Sequence, residues 1–142
     1  MILPDVNLLV YAHDETSEFH ESAAAWLEEA LSKEQVFFSW HTICGFIRIV
    51  TNKRIYLNPI GLKQAVEIVE TWLDLDTAHL VCLEKKNWPL FSAMLINGQA
   101  SGNLVMDAHL AAMAAASGAK LASTDRDFTR FPGIQLVNPI KS

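Results

Sequence analysis

Cysteine is scarce in this chain. Its 142 residues hold two, Cys44 and Cys82, each isolated in apolar sequence, which excludes a disulfide framework and a CxxC metal or redox pair. Both are expected to be small core residues. Glycine and proline are few as well, 6 and 5 against 51% hydrophobic residues, so collagen-like repeats and disorder are excluded. No long apolar run is present: the charge-free stretch Asn87–Met106 is interrupted by Pro89, Asn97, Gly98 and Gly102, whereas a membrane span needs about 20 predominantly apolar residues. The first residues lack the Lys or Arg of a secretory signal, and Pro4, Asp5 and Asn7 break their apolar run, so a cytoplasmic protein without membrane attachment is expected. Basic charge is also short. Residues 1–34 carry eight acids against Lys33 alone, a net of −7, and the remainder carries +2, for a total of −5. Any nucleic acid must therefore be met by a local basic patch or a bound metal, because the overall field repels it.

What is present has the length of one domain, residues 1–142. Met1–Leu3 reads as a buried strand followed by a short Leu8–Ala12 helix, and about Ser17 to Ser32 as an amphipathic helix with an acidic face. Val36–Phe38 is β-prone. After Ser39 the apolar set Trp40, Ile43, Cys44, Ile47 and Val50 follows the helical period, leaving a polar stripe of His41, Gly45, Arg48 and Asn52. Asn58 and Pro59 signal a helix start, with Leu62, Ala65, Val66, Val69, Trp72 and Leu73 as its apolar face. Ala78–Leu83 reads as a strand and Pro89–Ile96 as a helix. Leu104–Ser117 is a further helix, with Asn103 as cap and Gly118 as stop, and Lys120–Thr124 and Ile134–Val137 complete the strands. The order predicts an α/β fold: a three-layer α/β/α domain with a mostly parallel central sheet.

In such sheets ligands bind beyond the carboxyl ends of the strands. Asp5 and Asp125 each follow a predicted strand there, and Asp107 opens a helix whose next nine residues carry no formal charge. Singly, each has a structural explanation as a strand-end, turn or helix-dipole acid. Together they predict three carboxylates within a few ångströms, whose repulsion calls for a cation, and hard oxygen donors suit Mg²⁺ or Mn²⁺. Asp127 is a further candidate ligand and Asn7 a candidate partner for Asp5. Arg48, Arg126 and Arg130 are candidates for holding phosphate. The five histidines show no paired metal-ligand spacing.

Four stretches carry a resemblance: Asp5-Val6-Asn7, Phe46-Ile47-Arg48-Ile49-Val50-Thr51-Asn52, Asp107-Ala108-His109-Leu110-Ala111-Ala112, and Ser123-Thr124-Asp125-Arg126-Asp127-Phe128. In this order and spacing the chain resembles PIN-domain ribonucleases, specifically the VapC type of toxin from prokaryotic toxin–antitoxin pairs. The resemblance implies a Mg²⁺- or Mn²⁺-dependent endoribonuclease acting on RNA phosphodiesters, with Asp5, Asp107 and Asp125 matching three members of an acidic quartet. It also implies a VapB-like antitoxin partner and a homodimer, for which a mean hydropathy of +0.18 leaves apolar surface available. The fourth acid of such proteins is a glutamate just before the Phe-Ile-Arg segment, and here that position is Gly45. A naturally weakened site and a substitution permitting expression of a toxic nuclease both account for it. Two other readings stand beside this one: a catalytically silent antitoxin-binding protein, and an aspartate-nucleophile phosphatase built on Asp5. The latter is disfavoured because Asn7 stands where its second acid belongs.

Overall fold

The computed structural model describes residues 1–140. Its elements are β1 (Ile2–Pro4), α1 (Val6–His13), α2 (His20–Lys33), β2 (Val36–Phe38), α3 (Trp40–Val50), α4 (Leu62–Leu73), β3 (Ala78–Leu80), α5 (Trp88–Asn97), α6 (Leu104–Ser117), β4 (Lys120–Ala122) and β5 (Leu136–Val137), with 3₁₀ turns at Lys85–Asn87 and Arg126–Arg130. The five strands pair in parallel in the order β3-β2-β1-β4-β5. From β1 the chain winds outward to β2 and β3, then returns to place β4 on the other side. The reversal of winding thus lies between β1 and β4, the crevice where doubly wound sheets bind ligands.

The pleat divides the core in two. Successive strand residues point to opposite faces: Ile2, Val36, Phe38 and Ala122 join the cluster under α1–α4, whereas Leu3 and Leu121 join the cluster under α5 and α6. β1 is buried throughout and β2 largely so, as short apolar runs, whereas the edge strands β3 and β5 are half-buried to exposed. On the first face Trp72 stacks on Phe38 with centroids 5.4 Å apart and meets the Phe46 edge at 4.8 Å. The second face is lined by the small residues of α6, Ala108, Ala111, Ala112 and Ala114, so that helix lies close to the sheet. Among the described residues no helix is long and apolar enough to cross a membrane.

Helix ends follow local chemistry. Asp5 caps α1 through the Val6 N–H, and Ser39 caps α3 through the Thr42 N–H. α6 stops at Gly118 with φ 67°, and the Ala119 N–H closes back on the Ala114 carbonyl at 3.0 Å. Asn103 precedes α6 without a side-chain capping bond, and α4 starts at Leu62 behind Gly61 rather than at Asn58-Pro59.

Three expectations about packing are corrected. Cys44 and Cys82 are exposed rather than core. α3 is rotated from its predicted face: it buries Thr42, Ile43, Gly45, Phe46 and Val50 and leaves Trp40 61% exposed. Two apolar sets three and four residues apart fit that helix, and the large Phe46, facing Trp72, selects between them. On α4, Ala65, Val69 and Trp72 are buried while Leu62 and Val66 are exposed.

Gly98, at the end of α5, shows how tightly the second face closes. A Cβ there would lie 2.6 Å from the Phe131 ring and 2.8 Å from the Met94 carbonyl. Because the carbonyl is backbone and Phe131 is buried, neither yields cheaply. Gly98→Ala is expected to destabilise the fold by about 1–3 kcal/mol, as overpacking does, read as a lowered urea midpoint.

Candidate functional site

Of the four acids singled out by sequence, Asp5 and Asp125 are linked through Ser123 where the winding reverses, and Asp107 and Asp127 are coupled to them by charge. Asp5 follows β1, and its backbone N–H donates to the Ala122 carbonyl of β4 at 2.8 Å. The Asp5 carboxylate accepts from the Val6 N–H at 2.8 Å and from the Ser123 hydroxyl at 2.8 Å. The same Ser123 Oγ accepts from the Asp125 N–H at 3.0 Å, and Asp125 in turn accepts from the Asp127 N–H at 2.8 Å. Ser123 is 1% exposed. One buried hydroxyl therefore sets the spacing of the two strand-end acids, a role that the sequence reading missed although Ser123 stands within the Ser-Thr-Asp-Arg-Asp-Phe segment.

Asp107 approaches from the first turn of α6. Burial raises its pKa to about 6, with the charges of Asp5, Asp125 and Asp127 adding to the rise and Arg130 opposing it. Burial also raises Asp5, against the hydrogen bonds from Ser123 and Val6 that favour its ionised form; Asp125 raises it further and His41 lowers it. The acids thus feel one another, as expected of carboxylates in one crevice. Their oxygen donors have the chemistry of a hard-cation site, and Asp127 lies within reach by charge. Among the described residues, however, no three His, Cys, Asp or Glu side chains are grouped so that they could hold a metal ion as they stand. The acids are coupled by charge without forming a ready ligand set.

The α3 stripe meets this site only in part. His41 lies near enough for its charge to favour the Asp5 carboxylate. Gly45 is buried, and a Cβ there would lie 3.0 Å from Val6 Cγ2, next in sequence to Asp5. Arg48 is exposed, and Asn52 accepts from the Arg54 N–H within its own turn. Asn7 is exposed and makes no bond to Asp5, which itself caps α1. Arg126 is exposed, while Arg130 donates to the Gly98 carbonyl at 3.0 Å.

Comparison with known proteins follows this geometry. A family model described as the PIN domain matches residues 2–134. Ribonuclease VapC37 of Mycobacterium tuberculosis is 36% identical over 140 residues, covering 98% of this chain and 97% of that protein. VapC ribonuclease Mb2897 of Mycobacterium bovis is 33% identical over 141 residues, covering 99% and 96%. Among solved structures, VapBC2 from Rickettsia felis bound to a promoter DNA fragment superposes with a TM-score of 0.70 at 19% identity, over 97% of this chain and 98% of that one. VapBC-1 from nontypeable Haemophilus influenzae gives 0.67 at 16% identity, over 98% of each.

The crowding of acids has a pH signature. Asp107 has a folded pKa of about 6 against 3.8 for the free group, so the folded state binds the proton more tightly and holding the charge costs stability as pH rises between these values. In metal-free buffer at about pH 7, where that cost is complete, Asp107→Asn is expected to be more stable than the native chain, and the difference closes towards about pH 4. Urea midpoints across this range check the sign.

Proposed function

This chain belongs to the PIN-domain family, and on that footing we propose that it is a metal-dependent endoribonuclease, the toxin of a toxin–antitoxin pair acting in the cytoplasm. The observation that carries the reading is the charge coupling of Asp107 to Asp5 and Asp125, two acids that Ser123 links beside the β1/β4 reversal. Family membership displaces the phosphatase reading.

Asp5, Asp107 and Asp125 would hold Mg²⁺ or Mn²⁺, with Asp127 as a further oxygen donor. A divalent cation there supplies positive charge against the phosphate and lowers the pKa of water. The remaining work falls to the chain. Ser123 holds the Asp5 carboxylate and the Asp125 backbone, and the Asp127 N–H holds the Asp125 carboxylate, so both acids need little reorganisation when substrate arrives. Asp107 would orient the attacking water, whose proton passes to solvent. That water bonds to phosphorus in line with the departing ribose oxygen, which leaves with a proton from solvent.

Gly45 favours a second reading, in which the protein binds an antitoxin without cutting RNA, because the family's glutamate position holds no acid. One experiment separates the two. Structured RNA is incubated with the chain and with Gly45→Glu in Mg²⁺, Mn²⁺ or EDTA. The new side chain must displace Val6 by a few tenths of an ångström, and it then points an acid towards the Asp5 side of α3. Cleavage is expected to require metal and to rise at least about tenfold in the variant, roughly 1.4 kcal/mol in the transition state. Equal rates in both proteins at saturating metal rule out position 45 as the vacant catalytic position.

A VapB-like antitoxin is the proposed protein partner, a reading supported by likeness to the VapBC structures. Trp72 of α4 offers no surface to such a partner, being buried against Phe38 and Phe46. Apolar surface is open instead in a cleft of about 590 Å³ between the end of α1 and the 51–60 segment, lined by His13, Ile55, Tyr56, Leu57 and Ile60. Leu57 is 96% exposed there. Hydrogen exchange with and without the cognate antitoxin is expected to show protection over this segment; protection confined to the acids contradicts the assignment. A homodimer is also proposed, checked by sedimentation.

A further inference from the structure

A row of rings runs from the surface to the acids, and the cleavage scheme leaves it unused. Trp88, 59% exposed at the start of α5, meets Phe91 edge-on at 5.8 Å. Phe91 meets His109 at 5.5 Å, and His109 meets His41 edge-on at 6.3 Å. Only the innermost member borders the acids: His41 reaches Asp5 by charge, whereas His109, two residues past Asp107 on α6, faces away from that carboxylate and meets the acids only through His41. His109 Nδ1 has no hydrogen-bond partner among the described residues, so this imidazole is held through its ring contacts. At the outer end Lys85 and Lys86, both exposed, precede Trp88 in the 3₁₀ turn. Lys86 lies 3.4 Å from an equally exposed Glu84, a pairing weak enough in water to be exchanged for a phosphate.

From this row we infer that Trp88, Phe91, His109 and His41 form a track on which unpaired nucleobases stack, with Lys85 and Lys86 holding phosphates at its outer end. The inference deepens the ribonuclease reading and rests on it. Proteins that take single strands combine aromatic platforms with local positive charge, because every base offers a π-face. This chain needs such a device, since its net charge of −5 repels RNA and leaves stacking and local cations to supply the affinity. A duplex presents no free base faces and gains nothing from the rings. A row that ends at carboxylates, contains two imidazoles and starts beside two ammonium groups fits a polynucleotide better than the aliphatic face of a second protein.

The test measures binding in EDTA, where cleavage plays no part. The probe is a fluorescent, non-self-complementary oligoribonucleotide of roughly eight nucleotides, within the span that such platforms cover. Trp88→Ala is expected to weaken binding about tenfold or more and Trp88→Phe by less than about threefold, in line with the usual contribution of one stacked base. An abasic version of the oligonucleotide is expected to bind both the native chain and Trp88→Ala equally weakly, and the same sequence as a duplex to lose the Trp88 dependence. Lys85→Ala together with Lys86→Ala is expected to flatten the salt dependence. Unchanged affinity in Trp88→Ala overturns the track, as does equal binding of the abasic strand by the native chain. A shift from dimer to monomer in Trp88→Ala with RNA affinity retained also overturns it and assigns the face to a contact between copies. A chain that binds in this way but never cleaves refutes the ribonuclease reading and leaves the track standing, so the two failures are distinguishable.

Discussion

Like charges held close together govern this structure. Asp5, Asp107 and Asp125 are each at the end or start of an element whose backbone cannot move away: β1 and β4 are paired through Leu3–Leu121 and Pro4–Ala122, and α6 is pressed on the sheet by its alanines. The fold therefore half-buries carboxylates beside one another, and the cost shows in the raised pKa of Asp107, which burial raises most and the neighbouring acids raise further. Ser123 and the Val6 N–H offset part of the cost at Asp5. The remainder is what the proposed cation would relieve, so an arrangement that weakens the free protein would be the same one that suits it to bind metal.

The layer order, the parallel sheet and the six helices were legible because periodicity and local punctuation agreed. Val36–Phe38 and Leu104–Ser117 fall where apolar runs and the Gly118 stop put them. The strand-end aspartates were legible for a topological reason, since the carboxyl edge of a parallel sheet is fixed once the strands are placed. The Ser123 link between Asp5 and Asp125 accords with that placement, and the role of the acids in catalysis rests on the proposals above.

What stayed hidden depended on tertiary choice. The face of α3 was ambiguous because Cys44 and Ile47 are as apolar as Ile43 and Phe46; only packing against Trp72 decides which pair turns inward. The same rotation buries Gly45 against Val6. Ser123 escaped notice because a buried hydroxyl has no sequence pattern of its own: its meaning comes from a carboxylate far away in the chain. The row from Trp88 to His41 was equally invisible, being assembled from three separate helices.

The bond from Ser123 to Asp5 spans 118 positions of sequence. That bond closes only when β4 pairs with β1, and until it does the two strand-end acids do not face one another. Asp5 then lacks both its hydroxyl partner and the neighbouring Asp125. Assembly of the centre is thus tied to the most sequence-distant strand pairing of the sheet.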